Sequence, residues 1–180
     1  GLDTVASVVE IDGPVKSTQR IDLFAEVPGK LQASAKSFKD GVAYREGEVL
    51  LRLDDRDYRL QVIAARSGFQ RQLTQLLADL QLDYPSTFKQ VEDYLLVLNP
   101  EKTLASFPEV KNKKAQQFLV GRNIMNQFYS IKAQEAKLSK YSVVAPFDGV
   151  LSGADLDAGR VVQPGQPLGQ FIGAGSFEVQ

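Results

Sequence analysis

The chain has 180 residues, of which 21 are Lys or Arg and 22 are Asp or Glu, and it contains no His and no Cys. The missing residue types exclude Ser-His and Cys-His catalytic sites, zinc sites built from imidazole or thiolate, and disulfides. The net charge of −1 provides no attraction to nucleic acid, so we expect no nucleic-acid partner.

The first part of the chain has the alternating pattern of β-strands. The pattern of Val5–Ile11 predicts a lead-in strand within residues 1–17. This strand would be a fragment of a further domain. Apolar and polar residues then alternate over Ile21–Val27, Leu31–Ala35 and Val49–Leu53. Residues 18–54 are therefore predicted to form one half of a β-structure.

Residues 55–140 have the spacing of helices instead. A first helix is predicted over Arg56–Tyr84 and is ended by Pro85. Its apolar stripe consists of Val62, Ala65, Phe69, Leu73, Leu76 and Leu80. Thr87 and Gln90 fit a capping box, which predicts a short second helix that ends at Asn99-Pro100.

A second capping box, from Ser106 to Glu109, predicts a last helix over Glu109–Lys140. Its seam is Gly121, Ile124, Phe128, Ile131 and Leu138, interrupted by Glu135. Two long helices that flank a short one predict an antiparallel hairpin with an elaborated far end, and a flat helical bundle is the alternative. The residues predicted at this far end to contact a partner are Asn99, Glu101, Lys102, Thr103 and Ser106.

Residues 141–173 return to the strand pattern, with Val143–Phe147, Val161-Val162 and Phe171-Ile172 as the predicted strands. They also repeat a pattern of glycines from the first part of the chain. The glycines predicted to lie in turns are Gly29, Gly41 and Gly47 in the first copy, and Gly149, Gly159 and Gly165 in the second. Residues 174–180, with Phe177–Val179, would resume the further domain.

The repeat resembles that of periplasmic adaptor proteins, also called membrane fusion proteins of the HlyD-like family. Leu138–Leu151, which contains Ala145-Pro-Phe-Asp-Gly149, is similar to the segment at which their chain re-enters the lipoyl domain. Ala158–Leu168 is similar to the second lipoyl half-motif, and Phe24–Leu31 together with Gly41–Asp54 resembles the first. The resemblance implies an α+β fold: a lipoyl/biotinyl-like β-sandwich of two half-motifs, interrupted by an α-helical hairpin. It also implies that the terminal strands begin an adjoining β-barrel domain.

The resemblance further implies a non-enzymatic subunit without a cofactor, which links an inner-membrane transporter to an outer-membrane exit duct in a tripartite efflux pump. Such adaptors lie in the periplasm, are tethered to the inner membrane and assemble as rings. The heptads of the helical insert are short and broken, which favours a pump of the resistance-nodulation-division type. The alternative is an adaptor of type I secretion or of an ATP-driven exporter, since the same family serves those machines. It is less favoured, because those adaptors have longer coiled coils.

A lipoyl or biotinyl carrier domain is a further alternative, because it has the same half-repeat. A carrier needs a modifiable lysine on the tight hairpin between its halves, and here that hairpin is replaced by the helical insert. The nearest lysines, Lys137 and Lys140, are predicted to be solvated residues at a helix end.

An enzyme is the third alternative. The cluster of Asp54, Asp55 and Asp57 could act as an acid–base pair or hold a hard cation. The simpler interpretation is that these carboxylates cap a helix and form ion pairs with Arg52, Arg56 and Arg59. We favour that interpretation, because the segment offers neither a nucleophile nor oxyanion donors.

Overall fold

A computed structural model describes residues 19–177, and they form two compact units. The β unit lies within residues 1–54 and 140–180, and the helical unit comprises residues 55–139. The lead-in strand predicted within residues 1–17 lies outside the described residues, as do residues 178–180. Ala174–Phe177 form a short 3₁₀ helix. No helix in the described part of the chain is long and apolar enough to cross a membrane.

The described residues of the β unit form ten short strands. In chain order they are β1 (Arg20–Phe24), β2 (Gly29–Lys30), β3 (Phe38–Lys39), β4 (Ala43–Tyr44), β5 (Val49–Arg52), β6 (Ser142–Val144), β7 (Gly149–Ser152), β8 (Asp155–Leu156), β9 (Val161–Val162) and β10 (Pro167–Gly173). An antiparallel sheet has the order β1-β10-β7-β4, and the two-stranded pairs are β2–β9, β3–β8 and β5–β6. All of these pairings except β10–β7 join the first half to the second.

The two copies of the glycine repeat bind each other in a reciprocal way. The N–H of Gly47 donates to the carbonyl of Ala145 at 2.8 Å, and the N–H of Ala145 donates to the carbonyl of Glu48. In the other direction, Gly165 N–H donates to the carbonyl of Ala25 at 2.8 Å, and Ala25 N–H donates back to Gln166. Each half therefore provides hydrogen-bond partners for backbone groups of the other half. This reciprocal pattern relates the two copies of the repeat by a pseudo-two-fold symmetry.

Four of the six repeat glycines have backbone angles that favour glycine. Their φ values are 84° for Gly41, 86° for Gly47, 90° for Gly159 and 83° for Gly165. The other two differ from the prediction, because Gly29 and Gly149 begin strands β2 and β7 and have no positive φ. A Cβ on Gly149 would lie 2.3 Å from the carbonyl oxygen of Ile172, so this position requires glycine because of a close approach.

The helical insert enters and leaves the β unit on paired strands. β5 and β6 are antiparallel, and Leu53 N–H donates to the carbonyl of Tyr141 at 2.7 Å. Leu31 forms an isolated bridge to Leu53. The strand predicted to continue over Leu31–Ala35 does not form, because Ser34 Oγ instead closes a local turn by donating to the carbonyl of Lys36.

This adjacency gives a prediction for a shortened chain. Replacement of residues 55–139 by a short Gly/Ser loop should leave a β unit that unfolds in one cooperative transition, because the loop needs only to join ends that are already hydrogen-bonded. Thermal denaturation followed by circular dichroism would measure this, with the intact chain as reference. A product without a cooperative transition would contradict the prediction and would mean that strands and helices share one core.

The helical unit contains α1 (Arg56–Asp83), α2 (Pro85–Val97), α3 (Lys113–Gly121) and α4 (Ile124–Ser139). The stripe predicted on α1 faces the core: Val62, Phe69, Leu73 and Leu80 are fully buried. The core is completed by Val91 and Tyr94 of α2, by Leu104 and Val110 of the following segment, and by Ala115, Leu119, Ile124, Phe128 and Ile131 of α3 and α4.

Two of the predicted helix starts are wrong. α2 begins at Pro85, which takes the first helical position, so Thr87 lies inside the helix, buried, and caps nothing. The last helix does not begin at Glu109 but at Lys113, where the Asn112 side chain accepts a hydrogen bond from Ala115 N–H at 3.0 Å.

The single long helix predicted over Glu109–Lys140 is also wrong, because it is broken between α3 and α4. Asn123 has a φ of 62°, a left-handed conformation that asparagine tolerates better than most residues. Gly121, just before it, has a low helix propensity. Residues 106–112 are not helical. The half-buried Phe107 packs against the core, and its ring centroid lies 5.3 Å from that of Tyr94 and 5.9 Å from that of Phe128.

Candidate functional site

The segment that follows α2 turns beside a buried cluster of charges. Arg66 of α1 and Glu135 of α4 form an ion pair with 2.8 Å between Nε and Oε2. Their side chains are only 5% and 7% exposed. Lys132, one turn earlier on α4, places its Nζ 2.9 Å from the other carboxylate oxygen of Glu135. We call Arg66, Lys132 and Glu135 the charge cluster.

The charge cluster binds the backbone of residues 98–106, which we call the loop. Glu135 Oε2 accepts a hydrogen bond from Leu104 N–H at 2.8 Å. Arg66 Nη1 donates to the carbonyl of Pro100 at 3.1 Å, and Lys132 Nζ donates to the carbonyl of Leu104 at 2.9 Å. The Leu104 side chain is itself buried in the core. The loop is therefore held on both sides of its exposed residues 101–103.

Electrostatics keeps these hydrogen bonds in place at neutral pH. Burial raises the pKa of Glu135, but the hydrogen bonds from Leu104 N–H and Arg66 and the ion pair with Lys132 lower it by more, so its pKa lies below the ordinary value. Burial, together with the negative charge of Glu135, raises the pKa of Tyr94 to about 12. Tyr94 thus keeps its proton and donates it to the carbonyl of Ala105 at 2.7 Å.

The predicted contact residues Asn99, Glu101, Lys102, Thr103 and Ser106 are all exposed on this loop. They do not lie at the far end of the hairpin, where the sequence analysis placed them. α2 runs back along α1, so the loop lies beside Arg66, about three turns from the start of α1. The end of α1 is covered by α3, because Tyr84 packs on Phe118 and Arg122 pairs with Asp79 at 3.1 Å.

An apolar groove of about 720 Å³ adjoins the loop. It lies between residues 106–110 and helices α3 and α4, and Lys132 lines it as well. The apolar side chains of its lining include Phe107, Val110, Leu119, Met125, Phe128 and Tyr129. Tyr129 is 64% exposed at its rim. The groove and the loop are thus connected through Lys132.

The residues on which the enzyme and the carrier-domain alternatives depend make ordinary structural contacts. Asp55 is the residue before α1, but its carboxylate accepts from Arg59 at 2.7 Å instead of capping the helix. Lys137 lies 5.0 Å from the centre of the Tyr58 ring, and Lys140 pairs with Glu26 at 3.4 Å. Within residues 19–177 no group of three or more acidic side chains is placed to hold a metal ion.

The sequence analysis missed the charge cluster, although a signal was present. Arg66 lies four residues after Val62 and three before Phe69, so it occupies a position of the apolar stripe on α1. Glu135 lies four residues after Ile131 in the seam of α4, where it was interpreted as an interruption. Opposite charges at stripe positions of two antiparallel helices indicate a buried ion pair.

No protein-family model and no curated protein matches this chain. Among solved structures, a candidate efflux transporter from Bacteroides eggerthii aligns with 88% of the chain at 13% identity and a TM-score of 0.58. A MacA-MexA chimeric protein with the Pseudomonas aeruginosa MexA alpha-hairpin domain aligns with 86% at 17% identity and a TM-score of 0.52. The periplasmic adaptor protein EmrA aligns with 88% at 18% identity, with a TM-score of 0.48.

The chain spans 41% of the length of the first of these structures, 48% of the second and 72% of the third. At such identities the likeness is one of fold. The predicted α+β architecture, two β half-motifs interrupted by a helical insert, is confirmed. The chain shares its fold with the efflux transporter and with the chimeric protein, and this is the fold that the sequence resemblance implies.

Proposed function

We propose that this chain is part of a periplasmic adaptor, which links an inner-membrane transporter to an outer-membrane exit duct in a tripartite efflux pump. The observation that carries the proposal is the reciprocal pairing of two β half-motifs around a helical insert. The fold shared with efflux-related structures supports it. The role is mechanical and non-enzymatic, and the protein works as a ring-like homo-oligomer that is tethered to the inner membrane.

We further propose a transporter of the resistance-nodulation-division type. The support is the length of α1, whose 28 residues span about 42 Å. The adaptors of type I secretion and of ATP-driven exporters, which the sequence resemblance leaves as the alternative, have much longer coiled coils.

The loop is the proposed contact with the duct or with a neighbouring adaptor. Its exposed polar residues follow directly on Leu96 and Val97, which are 79% and 71% exposed at the end of α2. Apolar side chains next to mixed polar ones are typical of a protein-binding surface. Glu101 and Lys102 cancel in charge, which suits a partner of mixed rather than strongly acidic or basic surface.

Substitution of Leu96 by Asp tests this contact. In the full-length protein, produced in cells that lack their own copy, Leu96→Asp should abolish efflux, because a charge would enter the apolar part of the interface. The readout is the accumulation of a fluorescent dye that the intact system expels. The fold should persist, because a substitution at so exposed a site changes stability by only about 0.5 kcal/mol.

The matched control is Leu82→Asp. Leu82 is 81% exposed and lies in the last turn of α1, as Leu96 does in α2, so both substitutions have the same chemistry and helical context. Leu82→Asp should leave efflux unchanged. Lost efflux in Leu82→Asp together with normal efflux in Leu96→Asp would move the contact to the end of α1 and refute the role of the loop.

A further inference from the structure

We infer that the charge cluster is a positioning device, which fixes the loop in one conformation so that its side chains are presented ready to bind. The inference rests on the proposed function only for the identity of the partner that the loop binds. Its structural basis is that every bond from the cluster to the loop reaches a backbone atom, at Pro100 or at Leu104. The exposed side chains of Glu101, Lys102 and Thr103 are left free to contact a partner.

The burial of the cluster supports a role in positioning rather than in overall stability. A buried ion pair is often no more stabilising than apolar residues of similar size, because both charges lose their hydration. The neighbouring stripe positions Val62, Phe69 and Ile131 are apolar and almost fully buried, so this core accepts apolar side chains. Apolar residues at 66 and 135 could fill the space, but they could not bind Leu104 N–H or the carbonyl of Pro100.

The directional bonds also explain how a loop without helix or strand is held firmly. Leu104 is anchored twice, by its buried side chain and by hydrogen bonds to its N–H and its carbonyl. Tyr94 adds a third point of attachment at the carbonyl of Ala105. A loop that is ordered before binding loses less conformational entropy when the partner arrives, which favours affinity.

The test is the double substitution Arg66→Met and Glu135→Leu in the 180-residue chain. The helical unit should still unfold cooperatively, because both charges are removed together. Amide hydrogen exchange, followed by NMR, should be at least tenfold faster at Leu104 and unchanged at the buried residues Phe69 and Leu73 of α1. The control is Lys89→Met with Asp93→Leu, which removes an exposed ion pair of α2 and should not change exchange at Leu104.

Unchanged exchange at Leu104 in the double variant would overturn the inference. If that variant does not fold, Glu135→Gln replaces it, since the amide keeps the size of the side chain but loses the charge. Exchange at Leu104 should then rise several-fold, and an unchanged rate would overturn the inference equally. Dye efflux by the same variants separates the two proposals. Faster exchange with reduced efflux supports the positioning role. Faster exchange with normal efflux overturns it, because the order of the loop would then not matter for binding, whereas the loop as a partner contact is judged by Leu96→Asp.

Discussion

Substitution of Gly149 by alanine should remove most or all of the stability of the β unit. The new Cβ would lie 2.3 Å from the carbonyl oxygen of Ile172 and 3.0 Å from Cε2 of Phe171. The carbonyl belongs to β10, an inner strand that pairs with both β1 and β7, and Phe171 is fully buried. Neither group can move without disrupting the sheet, so we expect a loss of at least about 4 kcal/mol.

Gly153→Ala provides the control within the same unit. Gly153 has a φ of 68°, but a Cβ there meets no atom within 4 Å. Only the backbone conformation is then unfavourable, at a cost of about 1–2 kcal/mol. Chemical denaturation of both variants would measure the difference. Equal losses would show that the approach of β7 to β10 is not as close as described.

Substitution of Glu135 by alanine should have the largest effect in the helical unit. It leaves the Arg66 guanidinium buried without its carboxylate, and it removes the acceptor of Leu104 N–H. Removal of one partner of a buried ion pair typically lowers the free energy of unfolding by about 3–5 kcal/mol. Denaturation followed by circular dichroism at 222 nm would report this loss, because that signal comes mainly from the helices.

Glu92→Ala is the matched control, since it also replaces a glutamate on a helix of this unit. Its side chain is 43% exposed and lies 3.8 Å from Lys89. An exposed pair of this kind contributes at most about 1 kcal/mol. A loss no larger for Glu135→Ala than for Glu92→Ala would mean that Arg66 finds another partner or reaches water.

The β unit could be predicted well because its signals are local and repeated. Alternating apolar residues predict strands without knowledge of their partners, and a glycine spacing that occurs twice predicts two equivalent halves. Gly47 and Gly165 have the positive φ expected in such turns. The sequence alone does not show why position 149 requires glycine. The requirement comes from the close carbonyl of Ile172, which lies 23 positions later in the chain.

The helical unit was predicted less well, because its chain path depends on tertiary contacts. The segment 106–112 satisfies a local capping pattern, yet it is not helical, and its half-buried Phe107 packs against Tyr94 and Phe128. The loop was expected at the far end because sequence alone does not fix the direction in which α2 packs. Tertiary packing overrides such local preferences.

Periodicity along the linear chain is enough to predict the two half-motifs, the position of the insert and the apolar stripe of α1. Packing between distant segments produces the break at Asn123, the return of the loop toward Arg66 and the pairing of Arg66 with Glu135. Separation along the chain explains the difference. Arg66 and Glu135 are 69 residues apart in sequence, and their pairing exists only once α1 and α4 have packed.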